Sequence, residues 1–249
     1  MTKNINPAFS VTIWLCVSMM LMGGCAHPLV ITNLESYRAY GASSLEKPLK
    51  IGIATDSNEP EQKRLLDGVA SALGGFSAHV TMPYAANSQK EVDVIATIDI
   101  EAEHKGSGWN FLINWPGFLI WAPAWHGYVY EVKYTIHCTL KKGGSKETID
   151  QFRIPIALDV RHAAINRTWT EISWLEVSAI AFVGGLVFIN YDESVTPLVS
   201  EKVETPLGKY IAQEIVKRIN GSGKFTYIYS KDSLRGLALQ LPQLHRPQS

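Results

Sequence analysis

The sequence predicts an α+β protein, a single mixed or antiparallel sheet with two or three packed helices and two apolar insertions at one end. Three observations carry that expectation. Tyr128, Tyr130, Val132, Tyr134, Ile136, Cys138 and Leu140 alternate with Val129, Glu131, Lys133, Thr135, His137 and Thr139; after the turn Lys142-Gly143-Gly144-Ser145, Phe152, Ile154, Ile156 and Leu158 resume the pattern. A period of two folded back on a glycine turn is a half-buried β-hairpin. Leu65, Leu66, Val69, Ala70 and Leu73 follow the helical period instead and stop at Gly74-Gly75. The runs 109–128 and 173–189 fit neither period: the first sets Trp109, Trp115, Trp121 and Trp125 around Pro116 and Pro123, and the second holds one charge, Glu176, with Gly184-Gly185 near its middle.

The chain has 249 residues, of which 46% are hydrophobic, enough for one sizeable core or two small ones. Its 23 basic and 23 acidic side chains cancel, so there is no basic excess of the kind nucleic acid requires and no acidic tail.

At the N-terminus, Lys3 is followed by an uncharged apolar run over 9–22 and by Gly23-Gly24, the layout of a signal peptide over 1–24. The apolar run is short for a permanent span, which takes about 20 residues. Met22-Gly23-Gly24-Cys25 resembles a bacterial lipobox, with methionine in place of the usual leucine. That resemblance implies transfer of a diacylglyceryl group to Cys25, cleavage before it and acylation (palmitate) of the new amino terminus. The alternative is an ordinary secretory signal with Cys25 incidental. In bacterial lipoproteins an alanine such as Ala26 after the cysteine goes with export to the outer membrane, which implies a lipid-anchored chain on the periplasmic face of a Gram-negative outer membrane. Cys16 leaves with the signal and Cys25 carries lipid, so Cys138 has no disulfide partner within the mature chain.

In chain order, 25–48 reads as a lipidated tether, although 29–34 could pair as a short extra strand. An α+β domain is expected over 49–230. Residues 49–55 alternate toward a first strand, Asp56-Ser57-Asn58 offer caps ahead of Pro60, and the helix through Leu73 follows. Strands are expected over 76–82 and 92–100, the latter rich in β-branched residues. The first apolar insertion occupies 106–127 and the second 160–191. Thr205-Pro206 read as the start of a helix whose stripe is Leu207, Tyr210, Ile211, Ile215 and Ile219; 225–229 is a possible closing strand and 231–249 a flexible tail.

This order of strand, helix, strand, VDVIATIDI, long hairpin and C-terminal helix is similar to the domain shared by periplasmic lipoproteins related to the curli-secretion channel and by the N-terminal domain of TolB. The resemblance covers 49–100, 128–158 and 207–219. It implies a non-enzymatic role in envelope assembly, secretion or maintenance.

No sequence motif for a nucleophile elbow, phosphate loop, dinucleotide site or zinc site is present. His126, among tryptophans, reads as a structural or interfacial histidine, and Glu101, Glu103 and His104 as a solvated turn in preference to metal ligands. His137 and Cys138 face opposite sides of a strand. Both insertions leave the same end of the sheet and are therefore expected to be neighbours. Trp109, Trp115, Phe118, Trp121, Trp125 and Trp174 are the candidate contacts to membrane or partner; the two insertions covering each other as a private subcore is the other reading. The functional expectation is a lipoprotein acting as an envelope assembly or secretion accessory, held to the bilayer through Cys25, with an envelope protein partner or self-association through the insertions, no nucleic acid and no cofactor. Two alternatives stay open: an oligomeric pore-type lipoprotein, and a ligand-binding protein or enzyme with a pocket under the tryptophans.

Overall fold

The computed structural model describes residues 27–38, 44–56, 59–76, 78–85, 91–120, 122–163, 186 and 189–222, with the side chains of Phe118 and Leu119 outside that description. The signal peptide, most of the run 173–189, the closing strand expected at 225–229 and the tail lie outside the described residues. Along the chain come β1 (His27–Ile31), β2 (Leu49–Ala54), α1 (Pro60–Gly75), β3 (Ala78–Thr81), β4 (Val94–Gly106), α2 (Trp109–Asn114), α3 (Ala122–Trp125), β5 (Tyr128–Lys142), β6 (Thr148–Ala163) and α4 (Thr196–Gly221). Short 3-10 turns sit at Leu34–Tyr37, Gly117–Ile120 and Glu193–Val195.

Among the described residues the six strands form one sheet in the order β1-β6-β5-β4-β2-β3. β2 pairs in parallel with β3 and β4, placing Leu49 opposite Ala78 and Ile51 opposite Val94, whereas β1 pairs antiparallel with β6, placing Ile31 opposite Val160. β5 runs antiparallel to β4: the Gly143 N–H donates to Asp93 O at one end (2.9 Å) and the Ser107 N–H to Val129 O at the other (3.0 Å). The sheet is thus mixed and the fold α+β. The alternation read over 128–140 holds residue for residue, with all seven inward side chains buried and their neighbours half-buried or exposed.

The chain divides into two compact units through which β4, β5 and β6 run in turn. One comprises Ser36–Glu101, Thr135–Ile156 and Ser200–Ser249. Its core is built from Ile51 and Ile53 of β2, Leu66, Val69 and Leu73 of α1, Ile98 of β4, and Leu207, Ile211 and Ile215 of α4. Within this unit α1 and α4 approach backbone to backbone at Gly68 and Gly208. Asn220 ties the end of α4 to the segment before β2, donating from Nδ2 to Ser44 O (3.1 Å) and accepting the Glu46 N–H (3.4 Å).

The other unit comprises Met1–Glu35, Ala102–Tyr134 and Ala157–Val199. Here β1 lies in the region expected to be tether, ahead of the domain start expected at residue 49 and overlapping the short extra strand allowed for over 29–34. Pro28 is compatible with a strand at the edge of a sheet, where β1 sits among the described residues. Just beyond β1, Asn33 continues the pairing through its side chain, donating to Ala157 O (2.8 Å) and accepting the Asp159 N–H (2.9 Å).

Further boundaries move for physical reasons. β4 continues to Gly106, so Glu101 and Glu103 project from a strand's exposed face while Ala102, His104 and Gly106 keep the inward alternation; the solvated turn expected there is absent, and the first insertion starts at Ser107. β6 continues to Ala163, so the second insertion starts beyond residue 163 and not at 160. The N-cap of α1 is Glu59, without a side-chain hydrogen bond, and Pro60 follows at the first helical turn, where no backbone donor is needed. α4 begins at Thr196, and Pro206 lies inside it. Its buried face is continuous across the proline, at Val199, Val203, Leu207, Ile211, Ile215 and Ile219, and this burial offsets the hydrogen bond Pro206 cannot donate. No described helix is long and apolar enough to cross a membrane.

Candidate functional site

The Trp-rich insertion, expected to be too broken for regular structure, folds as three short helical pieces that pack on one another: α2, the 3-10 turn Gly117–Ile120 and α3. The Ser107 hydroxyl accepts the Trp109 N–H (3.3 Å) and starts α2; the Trp115-Pro116 peptide is cis. α3 packs on β1.

Two asparagines hold this piece to the sheet. Asn110, fully buried, donates from Nδ2 to Val129 O (2.9 Å) and accepts the Val129 N–H at Oδ1 (2.7 Å). Asn114, also buried, accepts the Tyr128 hydroxyl (2.9 Å). Once the chain turns away from β4 at Gly106, the Asn110 amide takes the next position on the ladder against β5. Their one visible signal was the presence of amides inside an apolar run.

The same piece carries exposed apolar side chains. Trp109 is 66% exposed, Ile120 67% and Trp125 60%, with Leu112 also exposed. Trp125 is nonetheless fixed, because its indole N–H donates to Ile120 O (3.1 Å). Trp115 is half-buried, and Phe118 lies in the 3-10 turn. Cys25, Trp121 and Trp174 fall outside the described residues, so the structure brings together Trp109, Trp115 and Trp125 of the expected contacts. At the far end of the second insertion, the carbonyls of Ile189 and Asn190 lie against Gly106, beside the start of the first.

Next to α3 the structure assembles a group of side chains the sequence did not connect. Gly127 adopts φ +72°, which a side chain would strain, and a Cβ there would also meet the His27 ring at 2.6 Å. His126 Nδ1 lies 2.9 Å from the Gly127 carbonyl, which makes Nδ1 the protonated nitrogen, and Nε2 then accepts from Arg161 Nη1 (3.4 Å). Burial, and then the neighbouring His126, Arg161 and His162, lower the His27 pKa. Burial also lowers that of His162, opposed by the Asp192 carboxylate and a hydrogen bond to the His27 backbone. Among the described residues, the ring atoms His27 Nε2 and His162 Nδ1 are buried without a hydrogen-bond partner. His126 therefore has the partner that sequence alone did not supply, from 35 residues downstream.

Elsewhere, His104, Lys105, Ile189, Tyr191 and Glu193 line an open depression of about 550 Å³. Tyr191 stacks at 4.7 Å on His104 and meets Tyr130 edge-on at 5.2 Å. His137 lies 3.5 Å from Glu101 on the outer face of the sheet, whereas Cys138 is buried, so the two do face apart. Burial, with the nearby Asp150 carboxylate, pushes the Cys138 thiol up to about 12. At pH 8 its thiolate fraction is then on the order of 10⁻⁴, and the thiolate is the reactive form. Native protein should accordingly leave Cys138 unmodified by a thiol-reactive dye over hours, with complete labelling in denaturant; rapid native labelling would contradict the burial.

No protein-family model and no curated protein matches the chain. Solved structures similar to it include rare lipoprotein B from Shewanella oneidensis, 14% identical, covering 69% of this chain and 97% of that one with a TM-score of 0.33. A minor lipoprotein from Acinetobacter baumannii is 9% identical over 69% of this chain and 91% of its own, with a TM-score of 0.32. PelC from Paraburkholderia phytofirmans, solved as a dodecamer, is 13% identical over 74% and 97%, with a TM-score of 0.24. These neighbours include bacterial lipoproteins, but likeness at this level carries no argument about role, which has to come from the residues.

Proposed function

We propose that the chain is a non-enzymatic lipoprotein, anchored through acylated Cys25 on the periplasmic face of the outer membrane, and that it serves as an envelope assembly or secretion accessory. The observation that carries this reading is the position of β1. Cys25 stands two residues before His27, which at 3.3–3.6 Å per residue is a reach of about 7 Å. A lipid anchor there leaves little slack: it holds the edge of the sheet, and α3 packed on it, at the bilayer surface. The exposed Trp109, Leu112, Ile120 and Trp125 belong to that same helical piece. Tryptophan favours the membrane interface, where its ring is buried and its N–H stays wet. The Trp-rich insertion is then a membrane-resting foot, and the rest of the unit faces the periplasm.

Wild-type chain should incorporate labelled fatty acid and remain in the membrane fraction, while Cys25→Ser should lose the label and be released, because the acyl chains supply about 0.8 kcal/mol per buried methylene. Labelling that survives Cys25→Ser would overturn the anchor. A Cys25→Ser protein that stays membrane-bound without label would shift the attachment to the insertion alone.

A further inference from the structure

The polarity of α2 is inverted. On a helix at a water-soluble surface the polar residues face out and the apolar residues face in. Here Asn110 and Asn114 are buried, whereas Trp109 and Leu112, one turn apart, are exposed. Both amides are engaged on β5, through Val129 and the Tyr128 hydroxyl. The pattern continues past Pro116, where Ile120 and Trp125 are exposed. The indole N–H of Trp125 already donates to Ile120 O, so that ring can leave water without stranding a donor. No Asp, Glu, Lys or Arg occurs between Gly106 and Tyr130, and Arg161, which bonds His126 at the end of α3, is half-buried. The surface therefore offers an occupant apolar area and almost no charge. That argues against recognition through anionic headgroups and leaves hydrocarbon as the matching chemistry. β1, on which α3 packs, starts two residues after Cys25.

We propose that α2, the 3-10 turn and α3 form a charge-blind wedge that enters the bilayer at the boundary between headgroups and acyl chains, reading acyl-chain packing in place of headgroup charge; this deepens the docking reading above and rests on it. Membrane binding by a surface helix ordinarily has two contributions, buried apolar area and attraction to anionic lipid. The insertion supplies only the first. Its side chains enter where headgroups part and expose acyl chains, so loosely packed, unsaturated bilayers are favoured over tightly packed, saturated ones. Salt has little to screen here. The Asn110 and Asn114 bonds to β5 hold Trp109 and Leu112 outward before α2 meets lipid, which spares the ordering cost that a free amphipathic segment incurs on binding.

The test uses the lipidated full chain in unsaturated phosphatidylcholine vesicles containing a fraction of lipid brominated high on the acyl chains, with tryptophan fluorescence as the readout. Bromine quenches an indole only at short range, so quenching marks rings that reach the acyl-chain boundary. Trp109→Phe and Trp125→Phe should each remove a share of the quenched signal while keeping an apolar ring in place. Leu112→Glu, at an exposed position, should reduce the quenching by about fivefold or more, because a carboxylate is costly to bring among acyl chains. Replacing part of the phosphatidylcholine with phosphatidylglycerol, or raising the salt, should leave the quenching unchanged, and saturated lipid should lower it. Quenching that requires phosphatidylglycerol and fades with salt would overturn the charge-blind assignment, and equal quenching in saturated lipid would overturn the packing preference. Absent quenching, or quenching that survives Leu112→Glu and both phenylalanine variants, would overturn the wedge. Cys25→Ser, measured at high vesicle concentration, reports the insertion without the acyl chains, so failure of the anchor and failure of the wedge give different results.

Discussion

Gly68→Ala and Gly208→Ala should each destabilise the protein by about 3 kcal/mol, the upper part of the range for overpacked cores. A Cβ on Gly68 would lie 2.4 Å from Glu204 O, and one on Gly208 would lie 2.5 Å from the Gly68 carbonyl carbon. Both obstacles are backbone atoms, so no side-chain rotation relieves the clash. The helices must separate, which loosens Leu66 and Val69 on α1 and Leu207 and Ile211 on α4, all buried to 4% exposure or less. In a domain of this size the midpoint of thermal unfolding should drop by roughly 6–12 °C. Gly74→Ala is the control: it lies in the same helix with nothing within 4 Å, so alanine there should be neutral or stabilising by up to about 1 kcal/mol. Equal melting of the Gly68 and Gly74 variants would show that the close approach is not a constraint.

The elements legible from sequence are those whose periodicity is set by one chemical requirement. In β5 every second residue must be apolar, and the helix at Leu65 to Leu73 obeys a single period. The misread elements are those in which two rules conflict. Thr205-Pro206 has the chemistry of a helix start, a capping residue followed by the residue tolerated at the first position, but the i+4 row of buried residues had already begun at Val195 and Val199. At 101–106 the charged residues that made the segment look solvated are the outward half of an alternating strand. β1 was legible only as a possible extra strand over 29–34, and its Pro28 is permissible because β1 lies at the edge of the sheet among the described residues.

The candidate site was legible in its apolar half and not in its polar half. Exposed tryptophans show up as composition, and the arrangement of Trp109 and Trp125 on one helical piece follows from the short distance between them in the chain. The polar half depends on partners far apart in sequence. Asn110 needs Val129, and His126 needs Arg161 on one side and the His27 ring beside Gly127 on the other, which the pairing of β1 with β6 and the packing of α3 on β1 bring about. On the anchored reading proposed above, a tether of some twenty residues would leave the Trp-rich piece free to face anywhere, whereas a strand beginning at His27 would restrict it.

Asn110→Leu should be the second large effect, and a more local one. Leucine has nearly the same volume but removes both hydrogen bonds to Val129. The Val129 carbonyl keeps its bond from the Ser107 N–H, whereas the Val129 N–H loses the partner that reaches it at 2.7 Å. Leaving a buried donor unsatisfied while also losing the amide's own bonds should cost about 2–4 kcal/mol. Asparagine is the one residue that fits: aspartate would retain the acceptor but turn its second oxygen toward the Val129 carbonyl and bury a charge at a site with no exposure. Because Asn110 acts where the insertion leaves the sheet, its loss should open residues 107–127 ahead of global unfolding. The Val129 amide should then exchange its proton at least tenfold faster than in wild type, and limited proteolysis should cut within the insertion while α1 and α4 stay intact. Unchanged protection at Val129 would mean that apolar packing alone holds the insertion to β5.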